Sequence, residues 1–270
     1  MSTRAEVAVI GGTGFYSFLR DPEDVPVATP YGEPSAPVSV GEVAGRRVAF
    51  LPRHGRGHEY PPHAINYRAN LWALRSLGVR QVLAPCAVGG LRPEVAPGDL
   101  VVPDQLVDRT SGRARTFVEH GAVHLPFADP YCPRLGEVLA AADGVHEGGT
   151  MVVVDGPRFS TRAESQDYAA RGWTLVNMTG APEAALAREL RMCLATIALV
   201  TDMDAGAEQE QGVRQQDVFA LFAQNTERLK GLLAGVVEQL PDPDGCSCHS
   251  WADGIDLTYE IPGESPCECC

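Results

Sequence analysis

No apolar run in this chain approaches the roughly 18 residues that a membrane-spanning helix requires, so a helical membrane protein is excluded. Basic stripes and Lys-rich tails are missing too. Asp and Glu number 35 against 22 Lys and Arg, for a formal net charge of −13. Nucleic acid is therefore not an expected partner, and any bound anion has to sit in a local pocket. There is no internal repeat and no low-complexity segment. The start, Met1-Ser2-Thr3-Arg4-Ala5-Glu6, runs directly into a strand-like segment and lacks the features of a secretory signal, so the expected compartment is the cytoplasm. Paired Cys-x₂-Cys motifs are also absent. Of the eight cysteines, Cys86, Cys132 and Cys193 are scattered, while Cys246, Cys248, Cys267, Cys269 and Cys270 fall within the last 25 residues. A reducing compartment disfavours structural disulfides. Cys-x-Cys and Cys-x-Cys-Cys do not have the usual zinc spacing. Free or redox-variable thiols are expected ahead of zinc held with His249, and no metal is expected.

What the chain does have is 270 residues with a hydrophobic fraction of 44%, enough for one sizeable core. Short apolar runs at 7–10, 48–52, 79–84, 100–103, 150–154, 175–178 and 195–200 read as buried strands. Helical spacing covers 66–77, where Leu71, Leu74 and Leu77 share a face, and also 183–189 and 213–240. Strands alternate with helices, and polar or glycine motifs repeatedly follow strand ends. This is the pattern of an α/β sheet with its site at the strand termini. After Pro241-Asp242-Pro243-Asp244-Gly245 the composition turns to Cys, Pro and Gly. The expected division is a domain over 1–245 and a Cys-rich tail over 246–270 with little regular structure.

Arg53-His54-Gly55-Arg56-Gly57-His58 places four cations or potential cations among two glycines in an acidic protein. Such a segment reads as an anion site, since an arginine fork fits phosphate oxygens, or equally as a basic surface loop. Gly11-Gly12-Thr13-Gly14 reads either as an anion loop of backbone amides plus the Thr13 hydroxyl, or as a tight turn. It lacks the full dinucleotide fingerprint. Cys86-Ala87-Val88-Gly89-Gly90 would present further amides. Asn177-Met178-Thr179 reads as a strand end with turn bonds. Asp202 and Asp204, two apart in an extended chain, point to one side. Burial and mutual repulsion would raise one pKa and let it deliver a proton. The alternative is a helix N-cap or surface turn.

In their order along the chain, Gly11-Gly12-Thr13-Gly14, Arg53-His54-Gly55-x-x-His58, Asn66-Tyr67-Arg68-Ala69-Asn70, Gly89-Gly90-Leu91, Glu164-Ser165, Asn177-Met178-Thr179 and Thr201-Asp202-x-Asp204 resemble the trimeric purine nucleoside phosphorylases, most of all the branch acting on S-methyl-5'-thioadenosine. The resemblance spans about Val7 to Leu240. It implies a single-domain nucleoside phosphorylase fold, a mixed twisted sheet flanked by helices. It implies cleavage of an N-glycosidic bond by inorganic phosphate as co-substrate, without a metal or organic cofactor. Thr13, Arg53, His54, Cys86, Ala87 and Thr179 would surround phosphate. Met178 would lie at the ribose and Phe159 on the purine face. Asp202 would protonate the departing base at N7, and Asp204 would accept from its 6-amino group. Gln215, Val218 and Phe219 would cover the 5' end of the sugar. His124 would come from the neighbouring subunit of a homotrimer.

Two positions depart from the family. Cys86 stands where a hydroxyl or amide is usual, and a thiol is the weaker donor. Gln215 stands where the methylthioadenosine branch is apolar, which favours a 5'-hydroxyl, although Val218 and Phe219 keep an apolar wall. The alternative substrates are adenosine or another 6-aminopurine nucleoside and, further off, a 6-oxopurine one. A non-catalytic nucleoside- or phosphate-binding protein and a metal or redox protein acting through its cysteines are the readings outside this class.

Overall fold

The computed structural model describes residues 3–12, 18–205 and 212–264. β1 (Val7–Gly11) is buried along its whole length, because its side chains feed two cores at once. Ala8 and Ile10 point into one apolar cluster, Val7 and Val9 into the other. This is period-two alternation inside a sheet covered on both faces, so the sequence shows a continuous apolar run rather than a half-polar one.

Ten further strands complete a mixed sheet of 11 among the described residues. They are β2 (Arg20–Val25), β3 (Val38–Val43), β4 (Arg46–Pro52), β5 (Gln81–Gly90), β6 (Leu100–Val102), β7 (Gln105–Asp108), β8 (Val145–Glu147), β9 (Thr150–Val153), β10 (Leu175–Asn177) and β11 (Cys193–Asp202). Helices α1 (Tyr67–Ser76), α2 (Pro133–Ala140), α3 (Arg162–Ala170), α4 (Gly180–Glu189), α5 (Gln215–Gln239) and α6 (Ser247–Ser250) complete the fold. Leu71 and Leu74 of α1 join Leu186 and Ala187 of α4 in the first cluster. Leu135 and Leu139 of α2 join Leu229, Leu233, Val236 and Val237 of α5 in the second. The result is a single α/β domain with a mixed sheet flanked by helices. No helix among the described residues is long and apolar enough to cross a membrane.

β5 is where the sheet forks. One edge pairs in parallel with β11 from Gln81 to Gly89. The other pairs with β1 only at Gln81–Leu83, then with β10, antiparallel, at Gly89 and Gly90. Between those partners the edge over residues 84–88 is open. Pro85 sits in this gap, where its missing N–H breaks no ladder bond. The gap lies beyond the carboxyl ends of parallel strands, the position at which open α/β sheets form ligand crevices.

Sequence periodicity located α1 with Asn66 as its first residue. In the structure Asn66 is the N-cap and its side chain accepts from the Ala69 amide. Seven elements escaped it, the strands β3 and β8 and the short α6 among them. β2 reads Arg-Asp-Pro-Glu-Asp-Val because it is an exposed edge paired only with β3. α3 has little apolar periodicity and is instead set by a capping box between Thr161 and Glu164. α2 begins with a proline at its first turn, and β7 is a short strand next to the sheet's end.

The expected tail has little regular structure, yet it is not detached from the body. Residues 246–264 contain only the short α6 but pack into the body. Cys246 and Cys248 are buried in the second cluster. Trp251 Nε1 donates to the Arg188 carbonyl at 2.7 Å, and the Tyr259 hydroxyl to the Glu189 carbonyl at 2.9 Å. Arg75 pairs with Glu264 at 2.8 Å. Composition changes at residue 245, but packing does not. Cys267, Cys269 and Cys270 lie outside the described residues.

Candidate active site

One cavity of about 570 Å³ opens at the fork. The end of β4 brings Arg53 and His54 to it, β5 brings Cys86, Ala87, Val88 and Gly89, and the end of β10 brings Asn177, Met178 and Thr179. β11 contributes Asp202, with Asp204 just beyond. The loop after β9 adds Phe159 and Ser160, and the first turns of α5 add Gln215, Val218, Phe219 and Phe222. Gly12 reaches the cavity from the end of β1, but Thr13 lies outside the described residues. His124 is exposed on the connection between β7 and α2 and is not among the residues that line this cavity.

At one end the donors are almost all neutral. Arg53 is only 2% exposed, and its fork does not face the cavity. Nε and Nη2 bind the two oxygens of buried Glu183 at 2.6 and 3.1 Å, Nη2 also donates to the Ile10 carbonyl and Nη1 to the Pro85 carbonyl. Of five guanidinium hydrogens these four bonds leave one on Nη1. The expectation of an arginine fork on phosphate is thus corrected, since Glu183 takes the fork and offsets the charge. His54 is held well below its ordinary value, at about 4, chiefly by burial. It is neutral at pH 7, and because the Tyr60 carbonyl 2.9 Å from Nδ1 can only accept, the proton is on Nδ1 and Nε2 carries a lone pair. Burial pushes the Cys86 thiol up to about 12, so it too is neutral.

Asn177 binds the two strands that frame this end. Its Nδ2 donates to the Ala87 carbonyl at 3.1 Å, while its Oδ1 accepts from the Thr179 and Gly180 amides at 2.7 Å each. Within a strand, N–H and C=O of one residue leave by the same edge. The Ala87 amide therefore faces the open edge as its carbonyl does. Arg113, from beneath, donates to the Met178 and Ala181 carbonyls at 2.9 and 2.6 Å and fixes the backbone at Met178.

The other end carries two carboxyls whose pKa values are both raised, first of all by burial. Asp202 Oδ1 accepts from the Asp204 amide at 2.8 Å, and Oδ2 lies 2.8 Å from the Thr201 hydroxyl. That hydroxyl is also 3.2 Å from the Val88 carbonyl. Ionised Asp202 accepts from Thr201. Protonated at Oδ2, it donates to Thr201, which then donates to Val88. Both protonation states are hydrogen-bonded, as a proton-transferring group requires. Asp204 is not in extended chain as expected but at φ 47°, a turn conformation that still leaves it on the cavity. Its Oδ2 is buried and has no hydrogen-bond partner. Ser160 and Ser165 hydrogen-bond the same carboxyl. Gly89 is required here, since a Cβ would come within 2.9 Å of Val176 and 3.2 Å of both aspartates.

The third wall is the start of α5. Val218 is buried, whereas Phe219 is 49% exposed at the cavity and meets the His58 ring edge-on at 5.8 Å. Gln215, the first residue of α5, lines the same space. Sequence reasoning missed Glu183 and Ser160. A buried Arg53 demands a buried counter-charge, and that rule would have pointed to Glu183 had burial been known.

Residues 6–239 match the signature of the phosphorylase superfamily. The chain belongs to this superfamily. Among relatives, it is 57% identical to S-methyl-5'-thioadenosine phosphorylase of Mycolicibacterium smegmatis, over 95% of this chain and 99% of that one. It is 56% identical to purine nucleoside phosphorylase of Streptomyces coelicolor, over 96% of this chain and 98% of that one. A methylthioadenosine phosphorylase from an Antarctic soil metagenomic library superposes with a TM-score of 0.84 at 39% identity, covering 92% of this chain and 91% of that chain. Within the matched region the cavity has neutral donors at one end and two carboxyls with raised pKa values at the other.

Proposed function

We propose that the chain is a pentosyltransferase of the purine nucleoside phosphorylase type. It converts S-methyl-5'-thioadenosine and phosphate into adenine and 5-methylthioribose 1-phosphate. The observation that carries this reading is one cavity that joins neutral donors at one end, two carboxyls with raised pKa values at the other and an apolar wall at the start of α5. Relatives bearing that substrate's name agree with it.

Phosphate sits among the Ala87 amide, the remaining Arg53 hydrogen, Thr179 and the Gly12–Thr13 loop. His54 Nε2, carrying a lone pair, accepts the P–OH hydrogen of the dianion. The ribose lies over Met178, and Phe159 stacks on the purine. Asp202, whose pKa burial raises, gives its proton to N7 as the N-glycosidic bond breaks. A phosphate oxygen then bonds to the anomeric carbon, and its negative charge offsets the oxocarbenium character of the sugar. Asp204 Oδ2 accepts from the 6-amino group, which satisfies its lone buried oxygen. Phosphate is the only co-reactant these steps use, and the reading places them in the cytoplasm.

The site is shared in a homotrimer, with His124 of one protomer reaching its neighbour's cavity. Supporting this are the exposure of His124 and the half-exposed ring of Phe219 at the cavity. Sedimentation of a fully active monomer at assay concentration would rule it out.

A second reading, phosphorolysis of adenosine or another 5'-hydroxyl purine nucleoside, rests on Gln215 in the cavity and on the Streptomyces relative at almost equal identity. Product analysis with methylthioadenosine, adenosine and inosine, with and without phosphate, tests both. Adenine release from methylthioadenosine should require phosphate and exceed that from adenosine. Equal release without phosphate would make the chain a hydrolase and overturn both readings.

A further inference from the structure

Away from the cavity, three separated stretches of chain bring four cysteines together. Cys132 is the N-cap of α2, Cys193 begins β11, and Cys246 and Cys248 flank the start of α6. All four are buried, and their sulfur atoms lie within 4.8 Å of one another. Cys132 Sγ and Cys246 Sγ are 3.7 Å apart. Four sulfurs bound tetrahedrally at about 2.3 Å from zinc stand about 3.8 Å from each other, whereas a disulfide needs about 2.05 Å. The 3.7 Å separation is that of two sulfurs sharing one zinc, and the 4.8 Å limit keeps all four near a common centre.

The surroundings are built for negative sulfur. Arg80 has no acceptor, so in its contact with His249 Nδ1 it donates. That fixes the imidazole proton on Nε2, which lies 3.4 Å from Cys193 Sγ and donates to it. An arginine acting through a histidine N–H on a ligand atom is the outer-shell arrangement of metal-bound thiolates. The Leu135 amide, in the first turn of α2, donates to Cys132. Neutral thiols alone would give the Arg80 charge little to face.

We propose that Cys132, Cys193, Cys246 and Cys248 form a closed, four-coordinate structural zinc site that pins the C-terminal segment to α2 and β11. Four protein ligands leave no open position, so the metal takes no part in the chemistry. The sequence hides the site because only Cys246-Ser247-Cys248 is a local pair. The other two ligands are isolated residues 61 positions apart.

The test uses the full chain, produced with zinc in the medium and purified without chelator. Elemental analysis should find about one zinc per chain. Cobalt substitution should give thiolate-to-metal charge-transfer absorption and the intense visible bands of a tetrahedral site. Cys248→Ser should lose zinc. Cys248→His, which restores a ligand, should keep it. Cys267→Ser, Cys269→Ser and Cys270→Ser combined should leave zinc content unchanged. Should Cys248→Ser not fold, the cobalt spectrum of the unsubstituted chain decides on its own. Zinc below a tenth of an equivalent, with these four found as disulfides or as free thiols, would overturn the proposal. So would zinc retained in Cys248→Ser and lost in the triple variant.

Discussion

Arg53 carries two duties that pull against each other. Its fork holds Glu183 and two carbonyls, which locks β1, β4, β5 and α4 around the crevice, and one N–H remains for the substrate. Removing Glu183 would strand a buried cation. Glu183→Ala should therefore cost about 3–5 kcal/mol, measured by chemical denaturation. A loss below about 1 kcal/mol would show that Arg53 is rescued by solvent. Asp202→Asn keeps the hydrogen-bond geometry but cannot yield a proton to N7. Its kcat should fall by roughly 10²–10⁴, and unchanged turnover would remove Asp202 from the acid role. Asp204→Asn puts an amide where an acceptor faces the 6-amino group. The ratio of kcat/KM for adenosine over inosine should drop, and a constant ratio would detach Asp204 from base selection. At this scale the sequence was informative about which residues gather, since spacing after strand ends is local. It was silent on orientation. The direction of the Arg53 fork and the turn at Asp204 depend on partners far along the chain, Glu183 and the Gly89 backbone.

Among the elements, α5 joins core and site in one helix. Its later half buries Leu229, Leu233, Val236 and Val237 against the sheet, and its first turn reaches the cavity with Gln215 and Val218. Its position is thus set by apolar burial worth about 1.5–3 kcal/mol per large side chain, and the Gln215 register follows from it. A neutral hydrogen bond from Gln215 to a 5'-hydroxyl is worth roughly 0.5–1.5 kcal/mol, up to about tenfold in preference. Gln215→Val should move kcat/KM toward methylthioadenosine and away from adenosine by up to that factor. An unchanged ratio would mean that the amide stays in solvent. Periodicity exposed this helix, α1 and most buried strands, because each carries a continuous apolar stripe or run, whereas β3 (Val-Ser-Val-Gly-Glu-Val) is broken by polar and glycine positions and was not read. β2 and α3 were illegible for the opposite reason. An exposed edge strand and a surface helix have no burial to imprint on their residue types.

For the whole molecule, the composition change at residue 245 suggested a detachable tail. None of the tail's described residues lines the cavity, so it should be dispensable for chemistry. Stability is a different matter. Cys246, Cys248, Ala252 and Ile261 are all at least nine-tenths buried, and Trp251 and Tyr259 satisfy the carbonyls of Arg188 and Glu189 at the end of α4. Both carbonyls belong to the last turn of the helix, where backbone donors run short; Arg188 still accepts from the Arg191 amide at 3.0 Å, so Tyr259 at Glu189 is the more telling of the two bonds. Net stability of a domain is only about 5–15 kcal/mol, so stripping several buried side chains together consumes much of it. Truncation after Leu240 should yield a chain that melts far lower or fails to fold. A subtler pair of changes separates stability from chemistry. Tyr259→Phe deletes the side-chain donor to the Glu189 carbonyl, at about 1–3 kcal/mol, whereas Trp251→Phe should cost only about 0.5–1.5 kcal/mol because the Arg191 amide still bonds the Arg188 carbonyl. Denaturation midpoints should fall in both, while kcat per folded protomer stays constant. If kcat falls with the midpoint unchanged, the segment acts on a site, its own or a neighbour's, and its role is catalytic rather than a brace on α4.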